Sequence, residues 1–183
     1  MSRLAALIAL LVLPGAALAG GTVVLDRVPA KRPTALVVRS AAIGPDGHIA
    51  ARNTAYGQNQ SVSLHWPAVA GVRAWAIILE DPDAPGSTPF VHWLVWNIPA
   101  GVTRLAEGAL PPGAVQGRNG HDGVGYWGPH PPSGVHRYHI EVFALDAPLP
   151  LSAGADRDAL AAALRGHVIA KGEILGLVAA PHG

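Results

Sequence analysis

The chain contains no cysteine. It therefore has no disulfide to form, no thiol nucleophile and no thiolate to offer a metal, which removes thiol hydrolases, disulfide exchange and Cys-ligated metal centres. Charge is sparse as well, at 14% of 183 residues, with 13 Lys and Arg against 12 Asp and Glu for a formal net charge of +1. Proteins that grip a phosphate backbone carry a clustered basic excess, so no nucleic acid partner is expected. No internal repeat and no low-complexity tract is present, no Ser stands in a nucleophile-elbow pattern, and no two His have the helical spacing of a metalloprotease. One segment, Gly117-Arg118-Asn119-Gly120-His121-Asp122-Gly123, has the look of a dinucleotide fingerprint. Its context rejects that reading, because such a cradle needs a strand before it and a helix after it. Here Pro111-Pro112 precede it and Tyr126-Trp127-Gly128-Pro129 follow. No cofactor is expected.

What is present is apolar. Half of the residues are hydrophobic, enough for one sizeable core and too few for two. The 22 Gly and 17 Pro are spread between strand-like runs, which points to a loop-rich β protein. The longest apolar run, Leu4 to Leu13, follows Arg3 and precedes Ala17-Leu18-Ala19. It is about half the ~20 residues of a membrane span, and a small-x-small triplet after such a run is a cleavage site. The expected organisation is a signal peptide over 1–19, cut near Ala19, an N-terminal extension or edge strand over 20–34, and a single domain over 35–183. A periplasmic or secreted location follows, with no stable transmembrane segment after cleavage.

Along the chain, Ala35 to Arg39 reads as a strand and Gly44-Pro45-Asp46-Gly47 as a turn, with Pro at its second position and Gly at its fourth. Tyr56-Gly57-Gln58-Asn59 is a second turn, in a polar stretch that ends at a short strand over Ser63 to Trp66. Trp75 to Leu79 and Phe90 to Trp96 read as buried strands. Gly113 to Gly134 is a long glycine-rich loop, and loops of that length in a compact domain tend to be functional. Val135 to Leu145 alternates, with His136, Tyr138, Ile140 and Val142 on the core face and Arg137, His139 and Glu141 on the other, where His139 and Glu141 read as solvent-side. Ala155 to Arg165 has helical spacing behind Asp156 or Asp158 as cap, and His167 to Leu175 repeats it more weakly, with His167 as a cap or packing residue.

The candidate site lies where these strands begin and end. Asp81-Pro82-Asp83-Ala84-Pro85 sets two carboxylates beside two prolines that restrict the backbone, and His92 follows in the next strand. Two carboxylates suggest general acid and base work at first sight. An alternative grouping, Asp83 with His92 and His136, has the composition of a two-His, one-carboxylate metal site and would make the protein a metal-dependent enzyme. A third reading needs no catalysis. A carboxylate beside an imidazole favours the imidazolium, and an imidazolium with a Tyr hydroxyl and loop N–H groups binds phosphate or carboxylate. In that reading Asp83 steadies the imidazoles and Asp81 fastens its own loop to backbone N–H groups.

Three separated blocks carry a resemblance. Asp81-Pro82-Asp83-Ala84-Pro85, then Val91-His92-Trp93-Leu94-Val95-Trp96-Asn97, then Tyr126-Trp127-Gly128-Pro129-His130-Pro131-Pro132-Ser133-Gly134 with His136-Arg137-Tyr138, are similar in order and kind to the signature blocks of the phosphatidylethanolamine-binding protein family, in its secreted bacterial, Raf-kinase-inhibitor-like branch. The resemblance covers roughly residues 35 to 177. It implies a mainly β fold with C-terminal helices, a large antiparallel sheet packed on a smaller one, and an anion pocket at one edge. It also implies a non-catalytic site built by Asp81, Asp83, His92, His136 and Tyr138, walled by Pro131 and Pro132. Trp127 and His130 depart from the family pattern at the expected mouth, and His130 joins the binding set. The implied ligand is a small phosphate, carboxylate or phosphoethanolamine group on a phospholipid or a phosphorylated partner. Inhibition of a kinase or protease through a protein partner is the alternative the branch name suggests, and bacterial relatives suggest a homodimer.

Overall fold

The computed structural model describes residues 21–33 and 35–181. The expected signal peptide lies outside the described residues. No helix among them is long and apolar enough to cross a membrane. In chain order the elements are α1 (Val24–Arg27), a single 3-10 turn (Ala51–Asn53), β1 (Leu64–His65), β2 (Ala74–Asp81), β3 (Phe90–Pro99), β4 (Arg104–Leu105), β5 (Val115–Gln116), β6 (Val135–Leu145), α2 (Arg157–Leu164) and β7 (Val168–Ala179). They form a five-stranded sheet in the order β5-β3-β2-β6-β7 and a two-stranded sheet of β1 and β4, with every pair antiparallel. The fold is thus mostly β, with a large and a small antiparallel sheet and one C-terminal helix.

Strand β2 sits in the middle of the large sheet and is buried at all eight positions. It reads as a continuous apolar run because both of its faces are covered. On one face Trp75, Ile77 and Leu79 meet Trp93, Val95, Tyr138, Ile140 and Val142, and the small sheet closes over them with Leu64, Trp66 and Leu105. On the other, Ala76, Ile78, Trp96 and Phe143 lie under Leu160, Ala161 and Leu164 of α2 and Val24 and Val28 around α1. Helix α2 is capped as its sequence proposes, the Asp156 carboxylate accepting from the Ala159 N–H at 2.9 Å.

Four expectations change. Residues 35–38 join no ladder, with the Leu36 N–H donating to the Lys171 carbonyl at 2.8 Å and Arg39 forming a single bridge to His65, so Ala35 to Arg39 is not a strand. Of the two readings for 20–34, the edge strand is absent from residues 21–33, which hold one turn of helix instead. His167 to Leu175 is strand, not helix: β7 pairs with β6 along its length, and α2 is the one C-terminal helix among the described residues. Two glycines of β7 serve the close approach of other chain segments. A Cβ at Gly172 would stand 2.1 Å from the Leu36 carbonyl oxygen, and one at Gly176 would stand 2.4 Å from the Ile49 side chain. Finally, Glu141 is not on a solvent face. It is fully buried, because the N-terminal segment and α2 cover the side of β6 that its alternation assigns to water.

The covering segment is tied down by charge. Glu80, also fully buried, accepts from the Val24 N–H and from Nε of Arg157, each at 2.5 Å, and Arg157 Nη2 donates to the Thr22 carbonyl at 2.7 Å. Lys171 donates to the carbonyls of Leu25 and Val28. Glu141 has no such partner: neither carboxyl oxygen is hydrogen-bonded among the described residues. Burial first, and the Glu80 charge second, push its pKa well above the usual carboxylate range, so the fold holds it protonated. For a carboxyl with a raised folded pKa, stability is fully present below the unfolded pKa and is lost as pH rises through the folded value. Glu141→Gln keeps the shape without the charge. Its melting temperature relative to wild type is expected to rise progressively from pH 5 to pH 9, and a difference independent of pH would contradict this account.

Candidate functional site

The β2–β3 hairpin builds the floor of the site. Asp81 ends β2, and its Oδ1 accepts from the N–H groups of Asp83 at 2.8 Å and Ala84 at 3.0 Å. This is an Asx-type turn, set by Pro82, which has no N–H of its own to compete. The second oxygen reaches across the sheet end, where Oδ2 accepts from Nδ1 of His136 on β6 at 2.7 Å. The carboxylate is 2% exposed, and such burial is tolerable because three donors surround it. Asp83 turns the other way. It accepts Nε and Nη2 of Arg137 at 2.9 and 2.6 Å, and the Arg137 backbone N–H at 2.8 Å. The guanidinium holds the Asp83 carboxyl below its ordinary range.

The expected division of labour between the two acids is therefore reversed in part. Asp81 both fastens the loop and holds an imidazole, and Asp83 holds none. His136 and Arg137 are consecutive on a strand and point to opposite faces, so each aspartate meets the β6 side chain on its own side. The grouping of Asp83 with His92 and His136 does not assemble, and no cluster of three possible metal ligands occurs among the described residues.

His92, 3% exposed on β3, is clamped to the long loop. A carbonyl can only accept, so Nδ1–H donates to the Trp127 oxygen at 2.8 Å, while the Trp127 N–H returns a bond to the His92 carbonyl at 2.9 Å. The Phe90 and Tyr138 rings flank the imidazole with centroids 4.9 and 5.2 Å away. Burial pushes the His92 pKa down to about 4, against which the Trp127 bond and the Asp81 charge act only in part. His92 is thus a neutral ring near neutral pH, contrary to the expected imidazolium, with Nε2 left as an acceptor. Tyr138 is fully buried, and its hydroxyl has no hydrogen-bond partner among the described residues. Burial, with the Asp81 charge nearby, raises its pKa and keeps it a phenol.

Above this floor opens a cleft of about 330 Å³, lined by Asp81, Ala84, Pro85, Phe90, His92, His121, Trp127, His130 and Pro132. Its far wall belongs to the glycine-rich loop. His121 stacks on Trp127 with centroids 4.0 Å apart and planes 15° from parallel, and His130 rests on Tyr56 at 4.3 Å. The polar stretch before β1 supports that wall. Asn59 accepts the Gly128 N–H at 2.6 Å, the Ala55 N–H donates to the Pro129 carbonyl at 3.0 Å, and the Tyr56 hydroxyl donates to the carbonyl of Pro131.

The family model for phosphatidylethanolamine-binding proteins matches residues 39–179. The chain belongs to this family. Among its relatives, a UPF0098 protein of Methanothermobacter thermautotrophicus is 42% identical over 146 residues, which is 76% of this chain and 96% of the relative. One from Pyrococcus horikoshii is 43% identical over 148 residues, 75% of this chain and 74% of the relative. Two crystal structures share the fold at TM-score 0.74 and 33% identity. A PEBP homologue from Chlamydia trachomatis covers 79% of this chain and 97% of its own. Escherichia coli YbcL, described as a new member of the mammalian PEBP family, covers 80% and 99%.

Of the residues read from the PEBP-like blocks, Asp81, His92, His130 and Pro132 line the cleft. His136 stands behind Asp81, and Tyr138 lies beneath His92. Asp83 is turned to Arg137, and Pro131 is buried with its carbonyl on Tyr56. His121 and Phe90 complete the lining without having been singled out. Phe90 had the signal of a strand's first residue only, and His121 sat in a glycine-rich run with no periodicity to assign it a direction.

The depressed His92 pKa has a testable sign. A group whose folded pKa lies below its unfolded one contributes stability that is present above the unfolded value, here 6.5, and lost as pH falls toward about 4. The loss amounts to something on the order of 3 kcal/mol across that window. In His92→Asn this component is gone, so the melting-temperature gap between wild type and variant should narrow as pH drops from 6.5 to 4. A gap constant over that range would contradict the buried, neutral ring.

Proposed function

We propose that this PEBP binds, without transforming it, a small organic group bearing a phosphate or carboxylate, in the cleft between the β2–β3 hairpin and the glycine-rich loop. The observation that carries the reading is that the one carboxylate of the cleft is already spent. Asp81 has its two oxygens committed to two backbone N–H groups and to His136, while three imidazoles, His92, His121 and His130, line the same space. A site with its acceptors used and N–H donors at its rim suits a ligand rich in acceptor oxygens. Phe90, Pro85, Trp127 and Pro132 supply apolar surface for the organic remainder, as on a lipid headgroup or a phosphorylated side chain.

His121 and His130 are the groups in contact with the anion, and His92 accepts a hydrogen from the ligand or its water. Asp81 acts through His136 and its own loop. The absence of catalysis is supported by the lining, which among the described residues contains no Ser, Thr, Cys or Lys to act as a nucleophile, and by the commitment of Asp81. The apolar run and small-x-small triplet at the start of the sequence support action outside the cytoplasm after cleavage near Ala19.

Thermal unfolding with phosphoethanolamine, phosphate or acetate tests the reading. Ligand at about 100 times its dissociation constant adds about 2.7 kcal/mol, a rise of several degrees for a domain of this size. Wild type should show that rise with at least one of the three. His121→Ala with His130→Ala should lose it while retaining the unliganded melting temperature. No rise with any of the three, or a rise of equal size in the double variant, would overturn the assignment.

A further inference from the structure

The small sheet carries a second arrangement, on the face turned away from the core. Leu64 of β1 and Leu105 of β4 point inward with Trp66, Leu36 and Val38, and alternation sends their neighbours out. Arg39 and His65 exchange both backbone hydrogen bonds, at 2.9 and 2.8 Å, and His65 is directly opposite Arg104 in the β1–β4 register. Directly opposed residues project from one face, roughly 5 Å apart per strand. The result is a row of three basic side chains, Arg39, His65 and Arg104, all exposed.

None of the three has a carboxylate or any other side-chain hydrogen-bond partner among the described residues. Arg27, Lys31, Arg52, Arg137 and Arg157 each take a carboxylate, while among the described residues Arg73, Arg118 and Arg165 share the row's lack of one without lying on one sheet face together. Arg39 and Arg104 flank His65 on either side, so an anion over the row would sit between two positive side chains. The row borders a depression of about 290 Å³ whose lining contains no acidic residue and shares no residue with the cleft. Ser63 lines it from the same outward face, and its Oγ is screened from water with no hydrogen-bond partner among the described residues. Ser40 Oγ, beside it, is already engaged with the Ser63 carbonyl and the Ala42 N–H.

We infer that this depression is a second oxyanion site, taking a phosphate or sulfate group between the Arg39 and Arg104 guanidinium groups, with the His65 imidazole and the Ser63 hydroxyl as further donors. Two guanidinium forks from opposite sides, a ring N–H and a hydroxyl provide more donors than the two oxygens of a carboxylate use, and they match a tetrahedral oxyanion. The site is independent of the cleft and stands whether or not the cleft binds an anion.

The test is made in the full chain with the cleft disabled by His121→Ala and His130→Ala, so that failure at one site is read apart from failure at the other. Calorimetric titration with inorganic phosphate in 0.15 M NaCl should give one binding event. Adding Arg39→Gln and Arg104→Gln should weaken it by about 10- to 100-fold, the loss expected for hydrogen bonds to charged groups. Arg104→Lys, which keeps the charge and loses the fork, should weaken it less. All three side chains are exposed, so an unchanged melting temperature confirms folding of the variants. In the backbone-amide NMR spectrum, phosphate should shift residues 39, 63–65 and 104. The inference is overturned if phosphate does not bind in the cleft-disabled protein, or if the Arg39→Gln and Arg104→Gln variant binds it equally. It is also overturned if phosphatidylglycerol vesicles bind while free phosphate does not, which would make the row a diffuse membrane-facing charge.

Discussion

The site depends on one buried carboxylate. Asp81 stands where β2 ends, ties down the turn that follows it, and reaches across the sheet to His136 on β6. A charge so far from water costs several kcal/mol unless its lone pairs are met, and here three donors meet it. The same commitment determines what the cleft can do. An aspartate with both oxygens engaged is a poor base and a poor nucleophile, so the two-carboxylate motif is a structural joint, and in the proposed anion-binding role the contacts fall to the imidazoles around it.

A second joint holds the opposite face of the large sheet. Glu80 lies on β2 immediately before Asp81 and points away from it, receiving Arg157 from α2 and the Val24 N–H from the N-terminal segment. Consecutive residues of one strand thus organise both sides of the sheet, Asp81 the cleft and Glu80 the cover. This is why β2 tolerates charge at its end while buried throughout. His92 is positioned by the reciprocal bonds that dock the glycine-rich loop on β3, and its neutrality follows from burial, which outweighs the opposing effect of the Trp127 bond.

Much of this was legible in the sequence. The strands over β2, β3 and β6, the capped helix α2 and the turn at Gly44–Gly47 follow from period and turn chemistry, and Asp81, His92, His130 and Pro132 were placed at the cleft. What was not legible depended on non-local partners. The alternation of β6 shows two faces but not that a distant N-terminal segment covers the second, so Glu141 reads as exposed. The stretch from His167 to Leu175 reads as weak helix because the Leu36 backbone and Ile49 side chain that require glycine at Gly172 and Gly176 lie more than 120 residues earlier. Asp81 and Asp83 flank the same proline, and the opposite projection of His136 and Arg137 is what tells their roles apart.

The most direct measurement of the central claim is the ¹⁵N NMR spectrum of the histidine rings, recorded from pH 5 to pH 8 in wild type and in Asp81→Asn. The account predicts that His136 carries its proton on Nδ1, in a hydrogen bond whose signature disappears in the variant. It also predicts that His92 stays a neutral Nδ1–H ring throughout. A His136 ring with a bare Nδ1, or a His136 signal unchanged by Asp81→Asn, would contradict it, as would a His92 ring that gains its second proton near neutral pH.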